Sequence, residues 1–192
     1  MAKLAPALSP RIVEEFCELC NRAHEYWIHH LELFENNPLE KELMKSHAKD
    51  ELMRLSVISH EYGLLQIAKL HDKTKVGGKF TLGVNYILVY GGWSTPVRDR
   101  LNKLKNKLDG FARQLRDARN KVLSHNDLSA IVSGGRFGAF AKGDDAKYFE
   151  ALKEFANLVH EEVVGGPCFG LFDNSVKSDV AAFMNMIKPE KL

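Results

Sequence analysis

The chain has 192 residues, of which 45% are hydrophobic and 27% are charged, and its formal net charge is +2. This length suits one well-cored domain, and the composition is that of an ordinary soluble globular protein. No apolar run approaches the ~20 residues that span a bilayer, and the N-terminal stretch lacks the apolar region of a secretory signal. Three cysteines, an odd number, fit a reducing compartment, so we expect a cytoplasmic protein without membrane contact.

Helical periodicity dominates the first half of the chain. Ser9 and Pro10 predict the start of a long first helix, whose apolar residues recur at spacings of three and four. Residues 36–38 (NNP) are expected to end it. A second helical region is predicted over residues 39–71, and its later half is apolar on more than one face, which indicates a central, buried helix.

The next segment is divided by glycines. Residues 73–79 (KTKVGGK) are predicted to form a polar loop, after which Thr81 caps a short helix over residues 82–90 (LGVNYILVY). The alternative for this stretch is a β-strand, because it is rich in β-branched and aromatic residues. We favour the helix, since no clear partner strand exists elsewhere in the sequence.

The remaining chain again has helical spacing. Ser94 and Thr95 before Pro96 predict the start of the longest helix, and Asp144 is expected to cap a later one. The helices predicted here span residues 95–123, 145–164 and 176–187, the last within a C-terminal segment at 165–192. The sequence therefore predicts an all-α bundle of five to six helices in a single domain over residues 1–192.

The stretch at residues 114–127 (QLRDARNKVLSHND) carries the clearest candidate chemistry. Arg119 is followed by Asn120 and, after four more residues, by His125. On an ideal helix Arg119 and His125 both border the apolar stripe, about 120° apart, so a groove between two subunits would bring two such motifs together. An alternative is that the helix loosens near Ser124. The spacing alone also fits a structural pair, with the arginine bound to helix carbonyls and the histidine at the core edge.

These residue types suit RNA cleavage. Histidine, with an ordinary pKa near ~6.5, is able to take the proton of a 2′-hydroxyl at neutral pH, after which the oxygen attacks the adjacent phosphate. The forked guanidinium of Arg119 stabilises the charge that builds on that phosphate, and Asn120 positions the phosphate or the histidine. This scheme requires neither a metal nor a cofactor, and its need for a 2′-hydroxyl selects RNA over DNA.

A cluster of basic residues leads to the motif. Between Pro96 and Lys121 there are nine basic residues and three acidic ones. A basic ridge of this kind suits a polyanionic partner such as RNA, although a solvated helix face has the same composition. The residues predicted to bind RNA are Arg113, Arg116 and Lys121.

The motif and its flanks resemble a known family. The string LRDARNKVLSHND is similar to the "LRDK-x-x-AH-x-D" signature of the AbiU2-like branch of the HEPN superfamily, which is found in bacterial abortive-infection systems. IAKLHD, at residues 67–72, resembles the "LARLxD" string that precedes it in that branch. The resemblance extends over residues 54–127, which form the family-like core. It implies that Arg119, Asn120 and His125 are catalytic, and Asp127 resembles the trailing aspartate of this branch, where we expect it to support them. Asp72, at the end of the IAKLHD string, is a second candidate for a supporting residue.

The resemblance also implies a function and partners. HEPN proteins are often metal-independent ribonucleases that act as dimers, and many are toxins or antiphage effectors, so it implies an RNA substrate, a homodimer and a partner such as an antitoxin. Other HEPN proteins have lost activity and bind RNA, a nucleotide or a protein. Two alternatives therefore remain beside the nuclease: an inactive HEPN binding module, and a helical regulatory or scaffolding protein.

Two further groups of residues are weaker candidates. Cys17, Cys20 and His24 have helical spacing that brings metal ligands together, but small residues on an apolar stripe give the same pattern. His71 and Asp72 end the second helical region, where a contact with the helix C-terminus is the alternative to support of an active cleft.

Overall fold

Amphipathic helices build this protein, as the periodicity predicts. The computed structural model describes residues 5–37, 49–118, 141–173 and 175–187. Within these ranges the chain forms six α-helices and one antiparallel hairpin, which confirms the predicted all-α class with five to six helices. In chain order they are α1 (Pro10–His30), followed by a π-helical turn (Leu31–Glu35), α2 (Lys49–Leu70), β1 (Lys75–Val76), β2 (Lys79–Phe80), α3 (Val84–Tyr90), α4 (Thr95–Ala118), α5 (Asp144–Val163) and α6 (Ser175–Ile187).

Helix α1 is central to the packing. It begins at Pro10, as predicted, and packs against both α2 and α5. Phe16 meets Phe155 of α5 edge to face, with ring centroids 5.9 Å apart, and Trp27 Nε1 donates a hydrogen bond to Asp145 Oδ2 at 3.0 Å. Burial of each such aromatic side chain contributes about 2 kcal/mol through the hydrophobic effect. The buried residues of this helix are Val13, Phe16, Cys17, Cys20, Ala23, Trp27 and His30.

Helix α4 is the longest of the described helices, and its described part ends at Ala118. Its apolar stripe is buried against α5, with further contacts to α2 and α3. Neither α4 nor any other helix of the described ranges combines the length and apolar character needed to cross a membrane. The predicted continuation of α4 to about residue 123 lies outside the described residues. The buried stripe consists of Leu101, Leu104, Leu108, Phe111 and Leu115.

Helix α2 is less buried than its sequence predicts. Its C-terminal part buries Leu64, Ile67 and Leu70, but its first half leaves apolar side chains in solvent, Ile58 being 61% exposed. The buried helix predicted for the later half of this region, residues 54–72, is therefore wrong for residues 54–62, which are exposed or half-buried, and right for the buried positions after them. The reason is that α1 covers one side of α2, whereas α6 lies across an apolar groove of about 690 Å³. The predicted start of this helical region, before Lys49, lies outside the described residues.

Two predicted caps are wrong. The hydroxyl of Thr81 donates to the carbonyl of Lys73, so it closes the preceding hairpin, and α3 begins only at Val84. Asp144 is the first residue of α5, after Gly143 in the left-handed conformation, and not its cap. The choice of helix over strand for the LGVNYILVY stretch is confirmed over Val84–Tyr90.

A close contact joins the end of α2 to the start of α3. A Cβ atom added to Gly83 would lie 2.5 Å from the carbonyl oxygen of Leu70, a distance that only backbone movement relieves. We expect Gly83→Ala to lower the free energy of unfolding by about 1–3 kcal/mol, the usual cost of overpacking. Urea denaturation measures this. Gly110→Ala is the matched control, because Gly110 lies in α4 with open space around its Cβ, and alanine there is expected to stabilise by up to ~1 kcal/mol. An equal effect of the two changes would contradict the packing argument.

Candidate functional site

The structure describes some, but not all, of the residues predicted to carry the chemistry. Arg119, Asn120, Lys121, His125 and Asp127 lie outside the described residues. Arg119 directly follows Ala118, the last described residue of α4. The backbone of Arg116 belongs to α4, while its side chain lies outside the described part. The structure therefore places Arg113 and Asp72 among the predicted site residues.

A basic depression lies beside the part of α4 from Lys105 to Arg113. It has a volume of about 930 Å³ and is formed where α4 meets the end of α2, the hairpin and α3. Its lining includes four cationic side chains and one carboxylate, so the depression carries a net positive charge. A charge of this sign favours a polyanion as the ligand. The residues lining the basic depression are His71, Lys73, Thr74, Lys75, Asn85, Val89, Lys105, Asn106, Asp109 and Arg113.

The predicted basic ridge of α4 is split between two sides of the helix. Lys105 and Arg113 line the basic depression, whereas Lys107 lines a different cavity of about 520 Å³ between α4 and α5. Residues two apart on a helix point about 200° apart, which is why neighbouring lysines separate. In the second cavity three carboxylates, those of Asp144, Glu150 and Glu154, accompany the two lysines. Of these two cavities, the one with Arg113 combines cations from several elements with a single carboxylate.

Lys73 and Lys75 are the cationic residues that sequence reasoning missed. Both are exposed, and both belong to the stretch that was predicted to be a polar loop. Lys75 pairs with Phe80 in the hairpin, and its Nζ lies 5.3 Å from the centroid of the Phe80 ring, within the range of a cation–π contact. The available sequence signal was Gly77-Gly78, a two-residue turn typical of a tight hairpin.

Internal contacts partly neutralise the α4 side of the depression. Lys105 forms an ion pair with Asp109 four residues later on α4. The Nε of Arg113 donates to the backbone carbonyl of Asp109 at 3.3 Å, which orients the guanidinium along the helix. Because Lys105 shares its charge with Asp109, the net positive charge of the depression comes from Lys73, Lys75 and Arg113.

The base of the depression is built on a buried polar contact. His71 is 5% exposed, and its Nε2 lies 2.8 Å from the hydroxyl of Tyr148 on α5. Burial raises the pKa of Tyr148 well above its usual range, so the phenol stays protonated. Asn85 Nδ2 donates to the carbonyls of His71 and Asp72 at 3.2 and 3.0 Å. These bonds tie the end of α2 to α3 and α5.

The supporting role predicted for Asp72 stays a prediction. Its backbone N–H donates to the Lys69 carbonyl at 3.2 Å in the last turn of α2, and its side chain is half-buried. Its neighbours His71 and Lys73 line the basic depression, and Asp72 itself is not among the lining residues.

Removing the Tyr148 hydroxyl is expected to destabilise the fold. Tyr148→Phe deletes a buried hydrogen bond to His71, and we expect the free energy of unfolding to fall by about 1–2 kcal/mol. Chemical denaturation followed by circular dichroism measures the change. Tyr62→Phe is the control, since Tyr62 is 42% exposed and its hydroxyl is expected to contribute within ~0.5 kcal/mol. A Tyr148 variant as stable as the parent protein would show that the contact contributes little.

The cysteine and histidine cluster of α1 has the geometry of a packed core. Cys17 and Cys20 are buried, and burial raises the pKa of both thiols. His24 stacks on Phe172, with ring centroids 4.4 Å apart, and meets Phe149 edge to face. Across the described ranges, no three His, Cys, Asp or Glu side chains are grouped closely enough to hold a metal ion.

Comparison with known proteins adds the family. The family model described as AbiU2, of the HEPN class, matches residues 10–173. The chain belongs to the AbiU2 family of HEPN proteins. The match starts with α1 and ends before α6, so it is longer than the core at residues 54–127 that the sequence strings indicated. It contains both the motif and the basic depression. No curated protein and no solved structure gives a significant match.

Family membership relates the chain to abortive infection. It also identifies which motif to test. Arg119, Asn120, His125 and Asp127, selected from their spacing and from the HEPN signature, all lie inside the matched range of this AbiU2 protein.

Proposed function

We propose that this AbiU2 protein is a metal-independent endoribonuclease of the HEPN class, acting as a bacterial toxin or antiphage effector in the cytoplasm. The observation that carries the proposal is the family match over residues 10–173, within which Arg119, Asn120 and His125 stand in the order of the HEPN signature. The net positive charge of the basic depression, on the helix that leads to the motif, supports an RNA substrate.

In this proposal the motif residues divide the chemistry between them. His125 takes the proton of the 2′-hydroxyl and returns a proton to the leaving 5′-oxygen, as general base and then general acid. Arg119 donates to the phosphate oxygens as charge builds on them, and Asn120 holds the phosphate or the imidazole. Asp127 and Asp72 support the site. Arg113, Arg116 and Lys121 bind the backbone of the RNA.

The proposal includes a homodimer. On an ideal helix Arg119 and His125 are about 120° apart, so one chain does not bring them face to face without a break in the helix. Two chains with their motifs in one cleft supply both groups to a single phosphate. A partner protein such as an antitoxin would hold the toxin inactive until infection, by covering that cleft.

Cleavage of RNA in EDTA tests the proposal. The folded wild-type protein is expected to cut RNA without divalent metal, and His125→Ala is expected to lose activity by a factor of at least about 10². Circular dichroism and light scattering establish that both proteins are folded and dimeric. Activity that survives in His125→Ala, or that disappears in EDTA for the wild type, would contradict the mechanism.

A binding module is the second candidate function. It is favoured by the basic depression itself, because those cations bind a polyanion whether or not the motif is active. Salt-sensitive RNA binding by the wild type without cleavage of any of a diverse set of RNAs would support this function over the nuclease.

A further inference from the structure

We infer that the basic depression is a phosphate-binding subsite, in which Lys73 at the base of the hairpin, Lys75 in its first strand and Arg113 of α4 hold the RNA backbone next to the scissile nucleotide. This inference rests on the proposed function, which it deepens by assigning a substrate-binding role to the hairpin. Lys73 and Lys75 do not belong to the motif or to the basic cluster of α4.

The charge of the depression is the first argument for this subsite. Lys105 is paired with Asp109, whereas Lys73, Lys75 and Arg113 are exposed side chains lining the same surface. Three cations without a carboxylate of their own among the lining residues produce a positive potential that attracts phosphates. Contacts of this kind position the backbone and do not read the bases, so we expect binding with little sequence preference.

The hairpin holds Lys75 in its first strand and fixes the backbone of Lys73 at its base. Lys75–Val76 and Lys79–Phe80 pair across Gly77-Gly78, whose φ angles of 56° and 80° fit a tight two-residue turn. The root of the hairpin is closed by Thr81, which bonds to the backbone of Lys73 and Thr74. A preformed strand pair loses little conformational entropy when a ligand binds, which favours a dedicated binding element over a flexible loop.

The depression lies on the same helix that precedes the motif in the chain. Arg113 lies five residues before Ala118, about 7.5 Å along the helix axis, and Arg119 is the next residue in the chain. Val89, which is 63% exposed, and the amide of Asn106 line the same surface. They offer an apolar and a polar contact to a sugar or base beside the bound phosphates. RNA that reaches the motif is thus expected to pass the hairpin within a few nucleotides.

RNA binding in a background that cannot cut tests the inference. In the full-length His125→Ala protein, Lys73→Gln/Lys75→Gln is compared with Lys147→Gln/Lys153→Gln, which removes the same charge from exposed positions on α5. The probe is an unstructured 20-nucleotide RNA with a fluorescent label. We expect the hairpin pair to weaken binding about tenfold at 0.1 M salt and to reduce the slope of log Kd against log salt by about 1.4, since each lost phosphate contact contributes about 0.7. The α5 pair is expected to change Kd by less than about twofold.

Cleavage kinetics distinguish a role of the subsite in binding RNA from a role in the chemical step. With His125 intact, the hairpin pair is expected to raise KM for the 20-nucleotide RNA and to leave kcat within about twofold, because the interaction binds ground state and transition state equally. Lys73→Arg/Lys75→Arg is expected to restore binding and shows whether the hairpin tolerates substitution.

Two results would overturn the inference. One is RNA binding by the hairpin pair at the affinity of its parent, and the other is equal weakening by the hairpin and α5 pairs, which would mean that only net charge matters. Because binding is measured without cleavage, an inactive wild type would contradict the nuclease and leave this test valid.

Discussion

Arg119→Lys is expected to reduce kcat for RNA cleavage by about 10²–10³ while the affinity for RNA changes little. Lysine keeps the positive charge but replaces the planar fork of five N–H donors with a single ammonium group. A bidentate contact is expected to strengthen as charge develops on the phosphate oxygens, so its loss falls on the transition state. Loss of one well-placed donor of this kind typically costs about 10²–10³ in kcat.

Affinity is expected to survive because other cations supply it. In the phosphate-binding subsite that we propose, Lys73, Lys75 and Arg113 hold the RNA backbone whichever cation stands at position 119. Single-turnover cleavage and binding to an RNA with a 2′-deoxy substitution at the cleaved position measure the two effects separately. Arg100→Lys is the control, since Arg100 is an exposed residue at the opposite end of α4. If Arg119→Lys keeps the full kcat, or if its loss of kcat/KM comes entirely from a higher KM, Arg119 binds RNA and does not take part in the chemical step.

The helices of this protein were predictable because their signal is repeated. In α4 five large apolar residues from Leu101 to Leu115 recur at helical spacing, and all five are buried. Each repeat adds to the same pattern, so a single unusual residue does not hide the helix. Helix α2 shows the limit of this reasoning. Its sequence indicates that several faces are apolar, but which of them is covered depends on where α1 and α6 lie.

The hairpin was missed because its strands are very short. Each strand has two residues, so no alternation of polar and apolar side chains develops, and only Gly77-Gly78 marks the turn. Thr81 was predicted to cap the next helix because it precedes an apolar run, yet its hydroxyl bonds backward to Lys73. Thr is suited to both roles, and the choice between them is made by the tertiary position of the hairpin.

The basic depression was only half predictable for a similar reason. Lys105 and Arg113 belong to one helix, and their excess of positive charge is visible in the sequence. Lys73 and Lys75 precede them by 30 to 40 residues in the chain, and the packing of the end of α2 against α3 and α4 brings all four to the same surface. The motif residues, in contrast, were identified from local spacing and family signature, which require no tertiary information.

Acidification is expected to destabilise the fold through His30. This side chain is 3% exposed, its ring stacks on His60 with centroids 4.9 Å apart, and its Nδ1 has no hydrogen-bond partner in the described part of the chain. Burial, with the positive charges of His60 and His29 as further causes, lowers the pKa of His30 to about 4. The contact with Glu35, 3.4 Å from its Nε2, acts in the opposite direction but involves a mostly exposed carboxylate.

The sign of the pH dependence follows from the lowered pKa. Unfolded His30 takes up a proton near its ordinary pKa of ~6.5, while the folded protein resists protonation until about pH 4. The unfolded state therefore binds more protons between these values, and stability that is fully present above pH 6.5 is lost as the pH falls. For His30 alone this amounts to about 2 kcal/mol at pH 5. Urea denaturation between pH 7.5 and pH 4.5 measures it.

His30→Phe isolates this contribution from the carboxylates that titrate in the same range. The variant keeps an aromatic ring between Trp27 and Phe34 but has no proton to take up, so its loss of stability between pH 7.5 and pH 5 should be about 2 kcal/mol smaller than that of the wild type. His29→Phe changes the exposed neighbour on the same helix and is expected to alter the pH dependence less. Parallel profiles of stability against pH for the wild type and His30→Phe would mean that His30 is protonated as easily in the folded protein as in the unfolded chain. The interpretation that His30 is buried and uncharged at this contact between α1 and α2 would then be wrong.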